Sequence, residues 1–325
     1  MQKMIKILLF LTLALCGCQS QPTPLSDKQF CLDTIVQITL YDSNSTNILN
    51  HCFDICNELE LIFSSTNQNS ELYKINHNIN KLKEQTISND LYQVIKEGLE
   101  YCELSNGQFD ITIGSVSLLW DFKTENPTLP NQSILEENLK SVSYKNIQLS
   151  KNKIVYLNEK TMIDLGAVAK GYIADKIKDY LLAQNVNNAL INLGGNVLCV
   201  GNKNNENYAV GLTDPQNTSQ SILSLKIDDL SVVTSGTYQR YFEIEQRKYH
   251  HILNPQTGYS YDNGLSSVTI ISESSLQGDV LSTVCFSLGK EKGIDLLNSM
   301  DNVYGCFIDN DNNISYSQGF KDYIK

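Results

Sequence analysis

Asp164-Leu165-Gly166-Ala167-Val168-Ala169-Lys170-Gly171 joins a strand-like run to a segment, Ala169 to Leu182, whose apolar residues Ile173, Ile177, Tyr180 and Leu181 fall on one helical stripe. A glycine-bearing turn that feeds straight into a helix has two readings. It is either a tight strand-to-helix connection with a surface lysine, or a place where backbone N–H groups hold anionic oxygens. No Walker or dinucleotide-fold glycine fingerprint is present to decide between them. Far along the chain, Gly278-Asp279-Val280-Leu281-Ser282-Thr283 sets a carboxylate and a hydroxyl four residues apart, which is one face of a helix.

Outward from that turn, strands and helices alternate irregularly. Phe30 to Tyr41 alternates β-branched and polar residues and reads as one strand, and Asn47 to Ile62 reads as a helix. Asp90 to Leu104 repeats the helical spacing, with Ser88 to Asp90 able to cap its start. A polar, proline-bearing excursion begins at Asn126, with a short helix over Ser133 to Leu139 and paired strands near Ile147 to Leu157 behind it. Strand pieces follow at Ala189 to Leu193, Tyr208 to Leu212, Ile222 to Ile227, Ser231 to Thr234, Phe242 to Ile244 and Ser267 to Ile271. Val280 to Leu288 and Lys290 to Met300 read as helices, and Val303 to Tyr316 as a closing hairpin. Without a regular βαβ rhythm, the class expected is α+β: mixed sheets with packed helices.

Lys3 and Lys6 precede an apolar run, Ile7 to Leu15, too short to span a bilayer, so residues 1–17 read as a signal peptide. The run ends in Leu15-Cys16-Gly17-Cys18, which resembles a bacterial lipoprotein box with Cys18 as the lipidated residue. Residues 18–29 then form a lipidated polar and proline-bearing tether, and residues 30–325 the folded domain. The expected location is extracytoplasmic, anchored by lipid to a bacterial membrane, and cleavage moves the formal charge from −11 to about −13. A chain this acidic leaves no basic patch for nucleic acid. Hydrophobic content of 41% with 19% charged residues fits a soluble globular body. The odd, irregularly spaced set Cys31, Cys52, Cys56, Cys102, Cys199, Cys285 and Cys306 reads as buried small hydrophobes. His51 beside Cys52 and Cys56 lacks the second ligand pair a zinc clip needs.

Four motifs can carry chemistry, and each has a plain structural reading beside it. Asp164 can accept from a base or ribose, Lys170 can pair with phosphate, and Ala167 can offer its carbonyl to magnesium. Asp279 and Thr283 can hold a divalent cation whose other ligands are pyrophosphate oxygens, although Asp279 also suits a helix cap. His250-His251 enters a proline-glycine turn, and alternation along a strand lets only one of them serve as a base, here His251. Asn192-Leu193-Gly194-Gly195-Asn196 and Ser235-Gly236-Thr237-Tyr238-Gln239-Arg240-Tyr241 are either ordinary turns or the polar and aromatic wall of a flavin site.

Read in order, FDITIGSV, DLGAVAKGYIAD, INLGGNV, VVTSGTYQRYF, HHILNPQTGYS and GDVLSTVCFSLG resemble the successive signature blocks of the ApbE family of FAD:protein FMN transferases. The resemblance runs from about Phe30 to the C-terminus and takes in Phe63-Ser64 and Asn69-Ser70-Glu71-Leu72. It implies a T-fold-related architecture with FAD, as substrate, in a cleft between two lobes. The implied ligands of Mg2+ are the Ala167 carbonyl, Asp279 and Thr283; the implied FAD contacts are Gln108, Phe109, Asp110, Asp164, Lys170, Gly194, Gly195, Tyr238 and Ile252. His251 and Lys170 are the implied catalytic pair. Three positions depart from the family pattern: Leu32-Asp33 replaces a methionine-glycine start, Ser65-Thr66-Asn67 lacks the usual aromatic residue, and Ser115 replaces a frequent proline.

The resemblance implies attack by a Ser or Thr hydroxyl of an extracytoplasmic acceptor, a subunit of a membrane redox system, on the FMN-side phosphorus of FAD, with AMP leaving. Two alternatives stay open: an FAD pyrophosphatase that uses water with the same residues, and a flavin-binding lipoprotein without catalysis.

Overall fold

Phe30 to Tyr41 is a hairpin corner rather than a single strand. The computed structural model describes residues 23–122, 124–203 and 206–325, so Cys18, the signal segment and the start of the tether lie outside the described residues. β1 (Leu25–Cys31) pairs antiparallel with β2 (Thr34–Leu40), and Leu32 and Asp33 make the turn at φ 56° and 58°. Glycine or asparagine is the usual choice at such angles, which is why the turn was invisible in a β-branched run. β1 thus opens at Leu25, within the stretch read as tether.

Helices α1 (Thr46–Phe63), α2 (Glu71–Asn76) and α3 (Asn89–Leu104) follow, the last two flanking a short β3 (Gln85–Thr86). Next come α4 (Gly114–Ser117), α5 (Gln132–Leu139), β4 (Ile147–Ser150) and β5 (Lys153–Tyr156). After α6 (Ala169–Ala183) the chain runs through β6 (Ala189–Leu193), β7 (Asn196–Val200), β8 (Tyr208–Asp214), β9 (Asn217–Ile227) and β10 (Ser231–Gly236). It closes with β11 (Tyr241–Ile244), β12 (Arg247–His250), β13 (Leu265–Ser272), α7 (Ser275–Leu288), α8 (Lys290–Asn298), β14 (Tyr304–Asp309) and β15 (Ile314–Tyr316).

An eight-stranded sheet in the order β1-β2-β6-β7-β10-β13-β14-β15 is antiparallel throughout. Its two faces are covered differently. Val36, Ile38, Leu40, Ile191 and Val268 pack into the larger core with the helices, including Phe53 of α1, Ile173 of α6 and Leu281 of α7. On the other face Val232, Ile271 and Ile308 meet Tyr208, Leu212 and Leu225 of the β8–β9 hairpin. With cover on both sides, β13 is buried at every position, so it lacks the polar alternation of a half-exposed strand. A third, aromatic cluster of Trp120, Phe242 and Tyr249 with Val116 and Leu135 forms a small lobe, pinned where Trp120 Nε1–H donates to the Gly258 carbonyl at 2.9 Å.

Helices α6 and α7 cap each other. Asp175 of α6 accepts from the N–H groups of Ser275 at 2.8 Å and Leu276 at 3.0 Å and from Ser274 Oγ at 2.7 Å, while Asp279 of α7 accepts from Gly171 N–H at 2.9 Å. Each carboxylate fills orphan donors at the other helix's first turn, where negative charge also suits the helix dipole. The crossing is close: a Cβ on Gly171 would lie 2.3 Å from the Ser275 carbonyl oxygen and 2.5 Å from Leu276 Cα. Both are backbone atoms and cannot step aside. Gly171→Ala is therefore expected to lower stability by about 1–3 kcal/mol, read as a lower melting temperature. An unchanged melting temperature would show that the helices separate there freely.

Candidate active site

A cleft of about 1370 Å³ opens between the sheet with α6 and α7 on one side and the aromatic lobe on the other. Its floor carries the Asp164 turn, which several elements hold. Asn76 of α2 brackets Ile163, donating from Nδ2 to its carbonyl at 2.8 Å and accepting its N–H at 2.9 Å, as a neighbouring strand would. Asp164 N–H then reaches the Ile111 carbonyl at 2.7 Å. The Asp164 carboxylate accepts Gly166 N–H at 2.9 Å and Ser117 Oγ–H at 2.8 Å, and Lys170 Nζ donates to the Gly166 carbonyl at 3.0 Å. Val168, the N-cap residue of α6, offers no side-chain cap. The helix start, the lysine and the Asp164 turn thus meet at one point of the cleft wall, an arrangement suited to phosphate oxygens.

The oxygen atoms beside it form a second cluster. Asp279 gives Oδ2 to Gly171 N–H, which leaves Oδ1 for the cleft. Because Gly171 N–H is taken in this way, it does not reach back to Ala167, whose carbonyl stays available. Thr283 stands one turn beyond Asp279, its Oγ1 held at 3.0 Å from Ser235 Oγ, which also meets Ser282 Oγ at 2.7 Å. Among the described residues no group of three or more His, Cys, Asp or Glu side chains converges. One carboxylate, one hydroxyl and one carbonyl make a sparse hard-oxygen set, which fits magnesium completed by phosphate and water. The capping reading of Asp279 is corrected in its target: α7 starts at Ser275 with Ser274 as its own cap, and Asp279 caps α6 instead.

The two histidines part as the strand alternation requires. His250 is buried against Phe286, with Nε2 2.9 Å from the Tyr261 carbonyl and Nδ1 accepting from Ile252 N–H at 3.3 Å. Those partners fix a neutral ring with its proton on Nε2, and burial pushes its pKa down to about 4. An imidazole NMR titration is expected to find His250 neutral at pH 6; an imidazolium there would break this assignment. His251 lines the cleft instead. Its Nδ1 lies 3.3 Å from the Arg240 carbonyl, a partner that calls for Nδ1–H and leaves the Nε2 lone pair as the base. Burial, then the Arg240 guanidinium and the Lys170 charge, hold its pKa well below the usual imidazole value. Partial access to the cleft tempers that depression without reversing it.

Of the residues expected from the sequence, Gln108, Phe109, Asp110, Asp164, Ala167, Lys170, Gly194, Gly195, His251, Ile252, Asp279 and Thr283 all line this cleft. Asp110 does so with its carboxylate already committed, Oδ1 to Thr112 N–H and Oγ1 and Oδ2 to Tyr144 N–H. Burial raises its pKa and these bonds partly offset that, so it holds the loop and has little left for a ligand. Tyr238 is absent from the lining: its ring lies against Gly236 and its hydroxyl pairs with Thr213 and Ser267. Sequence reasoning passed over Ser117 and Asp175 as site residues, and took Ser235 and Arg240 only as parts of a segment that is either a turn or a flavin wall. All seven described cysteines are buried; burial pushes thiols such as Cys52 and Cys306 up to about 12, which makes them unreactive, whereas a hydrogen bond with Cys56 lowers the pKa of Cys31. His51 faces outward against Tyr180 while Cys52 and Cys56 face the core.

A profile of the ApbE family matches residues 32–308. The FAD:protein FMN transferase of Klebsiella pneumoniae (strain 342) is 35% identical over 285 residues, covering 87% of this chain and 88% of that protein. The one of Treponema pallidum (strain Nichols) is 29% identical over 331 residues, covering 95% and 91%. Among solved structures, the ApbE protein of Thermotoga maritima superposes with a TM-score of 0.85 at 30% identity, over 93% of this chain and 100% of that one. The flavin transferase ApbE of Vibrio cholerae, at 22% identity and a TM-score of 0.82 over 93% of this chain and 100% of that one, speaks for the fold alone. Matched along most of its length by profile, relatives and structure, the chain belongs to the ApbE family.

Proposed function

We propose that this protein is a magnesium-dependent FAD:protein FMN transferase, which moves FMN from FAD to a Ser or Thr hydroxyl of an acceptor protein and releases AMP. One observation carries the reading: the bond from Gly171 N–H to Asp279 Oδ2 locks an anion-binding helix start to a hard-oxygen cluster, within one cleft that also holds His251. A site for binding alone has no need of a base beside a cation site. The relatives named for this activity supply the flavin.

Asp279 Oδ1, Thr283 Oγ1 and the Ala167 carbonyl would hold Mg2+, which when bound neutralises pyrophosphate charge. Lys170, with the α6 dipole behind it, would add positive potential where negative charge builds up on those phosphates. His251 Nε2 takes the proton of the acceptor hydroxyl as its oxygen bonds to the FMN-side phosphorus. The bond from that phosphorus to the bridging oxygen breaks, and AMP leaves with the electron pair. Location belongs to the same proposal: the lipoprotein-like segment ending at Cys18 supports a site of action outside the cytoplasm, beside membrane-bound acceptors.

The full chain, incubated with FAD, Mg2+ and an acceptor bearing an exposed Ser or Thr segment, should add the mass of esterified FMN to the acceptor and release an equal amount of AMP. Chelation should stop both. Release of AMP with no mass gain on any acceptor would favour the pyrophosphatase, and intact FAD throughout would leave only binding.

A further inference from the structure

The β11–β12 hairpin has two edges, and they are closed unequally beside His251. Glu245 and Gln246 make its two-residue turn at φ 51° and 65°, which sets Ile244 and Arg247 as a hydrogen-bonded pair and, by the alternation of an antiparallel ladder, Phe242 and Tyr249 as the next. The residues between them turn their backbone N–H and C=O groups away from the partner strand: Lys248 and His250 on β12, Tyr241 and Glu243 on β11. On β12 that edge is closed at His250, whose N–H donates to Ser260 Oγ at 2.7 Å and whose carbonyl accepts from the same hydroxyl. On β11 the outward N–H and C=O groups of Tyr241 and Glu243 meet no partner among the described residues, and both residues are exposed, Tyr241 by 43%. An open edge invites a further strand, and proteins usually blunt one. The outermost strand of the main sheet shows how: the Lys28 N–H of β1 is taken by Asp27 Oδ1 at 2.8 Å. The β11 edge has no such cover, and it continues the cleft, since Arg240 and Tyr241 line it together with His251. His251 N–H donates to the Arg240 carbonyl at 3.1 Å and its Nδ1 lies against the same carbonyl, so the ring leans from its own strand toward β11. A strand added to β11 would lie about 4.8 Å beyond it, on the side toward which the ring leans.

We propose that the outer edge of β11 docks the acceptor protein: an extended segment carrying the Ser or Thr adds to it as a third strand, pairs with the backbone of Tyr241 and Glu243, and so brings its hydroxyl to His251. This rests on the transferase reading above and says how the second substrate of that reaction is held. Main-chain pairing tolerates many side chains, but it requires that the residues around the hydroxyl can extend and that none on the pairing side is proline.

Glu243→Pro deletes one outward N–H and sets a ring against the added strand, while the β11–β12 ladder keeps its bonds because Glu243 contributes none to it. Glu243→Ala keeps the N–H and controls for the side chain. With the full chain, FAD, Mg2+ and a protein acceptor bearing an exposed Ser or Thr segment, KM for the acceptor should rise about tenfold or more in Glu243→Pro and stay within about twofold in Glu243→Ala, with FAD affinity within about twofold in both. An unchanged acceptor KM in Glu243→Pro, or an equal rise in Glu243→Ala, overturns the proposal while the transferase reading stands. If Glu243→Pro fails to fold, wild type is assayed with peptides spanning the acceptor's Ser or Thr segment, each carrying one backbone N-methyl group. Transfer should then fall at every second residue, as pairing along one edge of a strand requires, and losses without that period overturn the docking. Absence of transfer by wild type to any acceptor overturns both readings.

Discussion

Asp279→Asn is expected to lower FAD-dependent AMP formation by about a thousand-fold while the protein stays folded. The asparagine retains an oxygen that can accept from Gly171 N–H, so the cap on α6 survives; what goes is the single negative charge of the hard-oxygen cluster. Asp279→Ala removes the cap as well and should lose a further stability increment of about 1–2 kcal/mol. Comparing the two separates the positions of the carboxylate's two oxygens in the argument. Thermal melts give a readout independent of turnover: Mg2+ with nucleotide should raise the wild-type melting temperature by linkage and leave that of Asp279→Asn almost unmoved. Turnover within tenfold of wild type in Asp279→Asn would reduce Asp279 to a helix cap and remove the basis for a cation in this cleft.

Periodicity was a good guide where an element buries one face. α1, α3, α5 and α6 fall within a residue or two of the spacing expected, and Ser88 caps α3 as read. It failed where the backbone departs from residue preference. Leu32 and Asp33 turn at positive φ without glycine, so β1 and β2 looked like one strand. β7 was hidden because its first residue, Asn196, was read with the glycine turn that precedes it. The site was legible through motifs whose chemistry is local, such as Asp279 with Thr283 on one helical face. Contacts that join distant segments were not: Ser117 with Asp164, Ser235 with Thr283, and Asp175 with the start of α7 depend on tertiary packing that no spacing encodes. Tyr238 shows the converse, since a residue inside a site-bearing segment can point away from the site.

His251→Gln is expected to slow FMN transfer by about 10²- to 10⁴-fold, the range of a positioned general base, with little change in FAD affinity. The geometry makes a sharper statement about pH. In the cleft the ring's pKa is depressed by burial first and by the Arg240 and Lys170 charges after that, so His251 is neutral through the whole neutral range. A depressed pKa places the acid limb of kcat/KM, which reports the free enzyme, below the usual imidazole value of about 6.5. Bound pyrophosphate brings negative charge beside the same ring and favours its protonated form, so the acid limb of kcat should lie at higher pH than that of kcat/KM. The neutral tautomer follows from the Arg240 carbonyl at Nδ1, and a glutamine there can keep that contact while offering no base of comparable strength. The variant should therefore lose the His251 limb as well as the rate. A limb near pH 6.5 in kcat/KM that persists in His251→Gln would assign the proton transfer to another group, and since His250 has both ring nitrogens engaged away from the cleft, that group would have to be one of the cleft carboxylates.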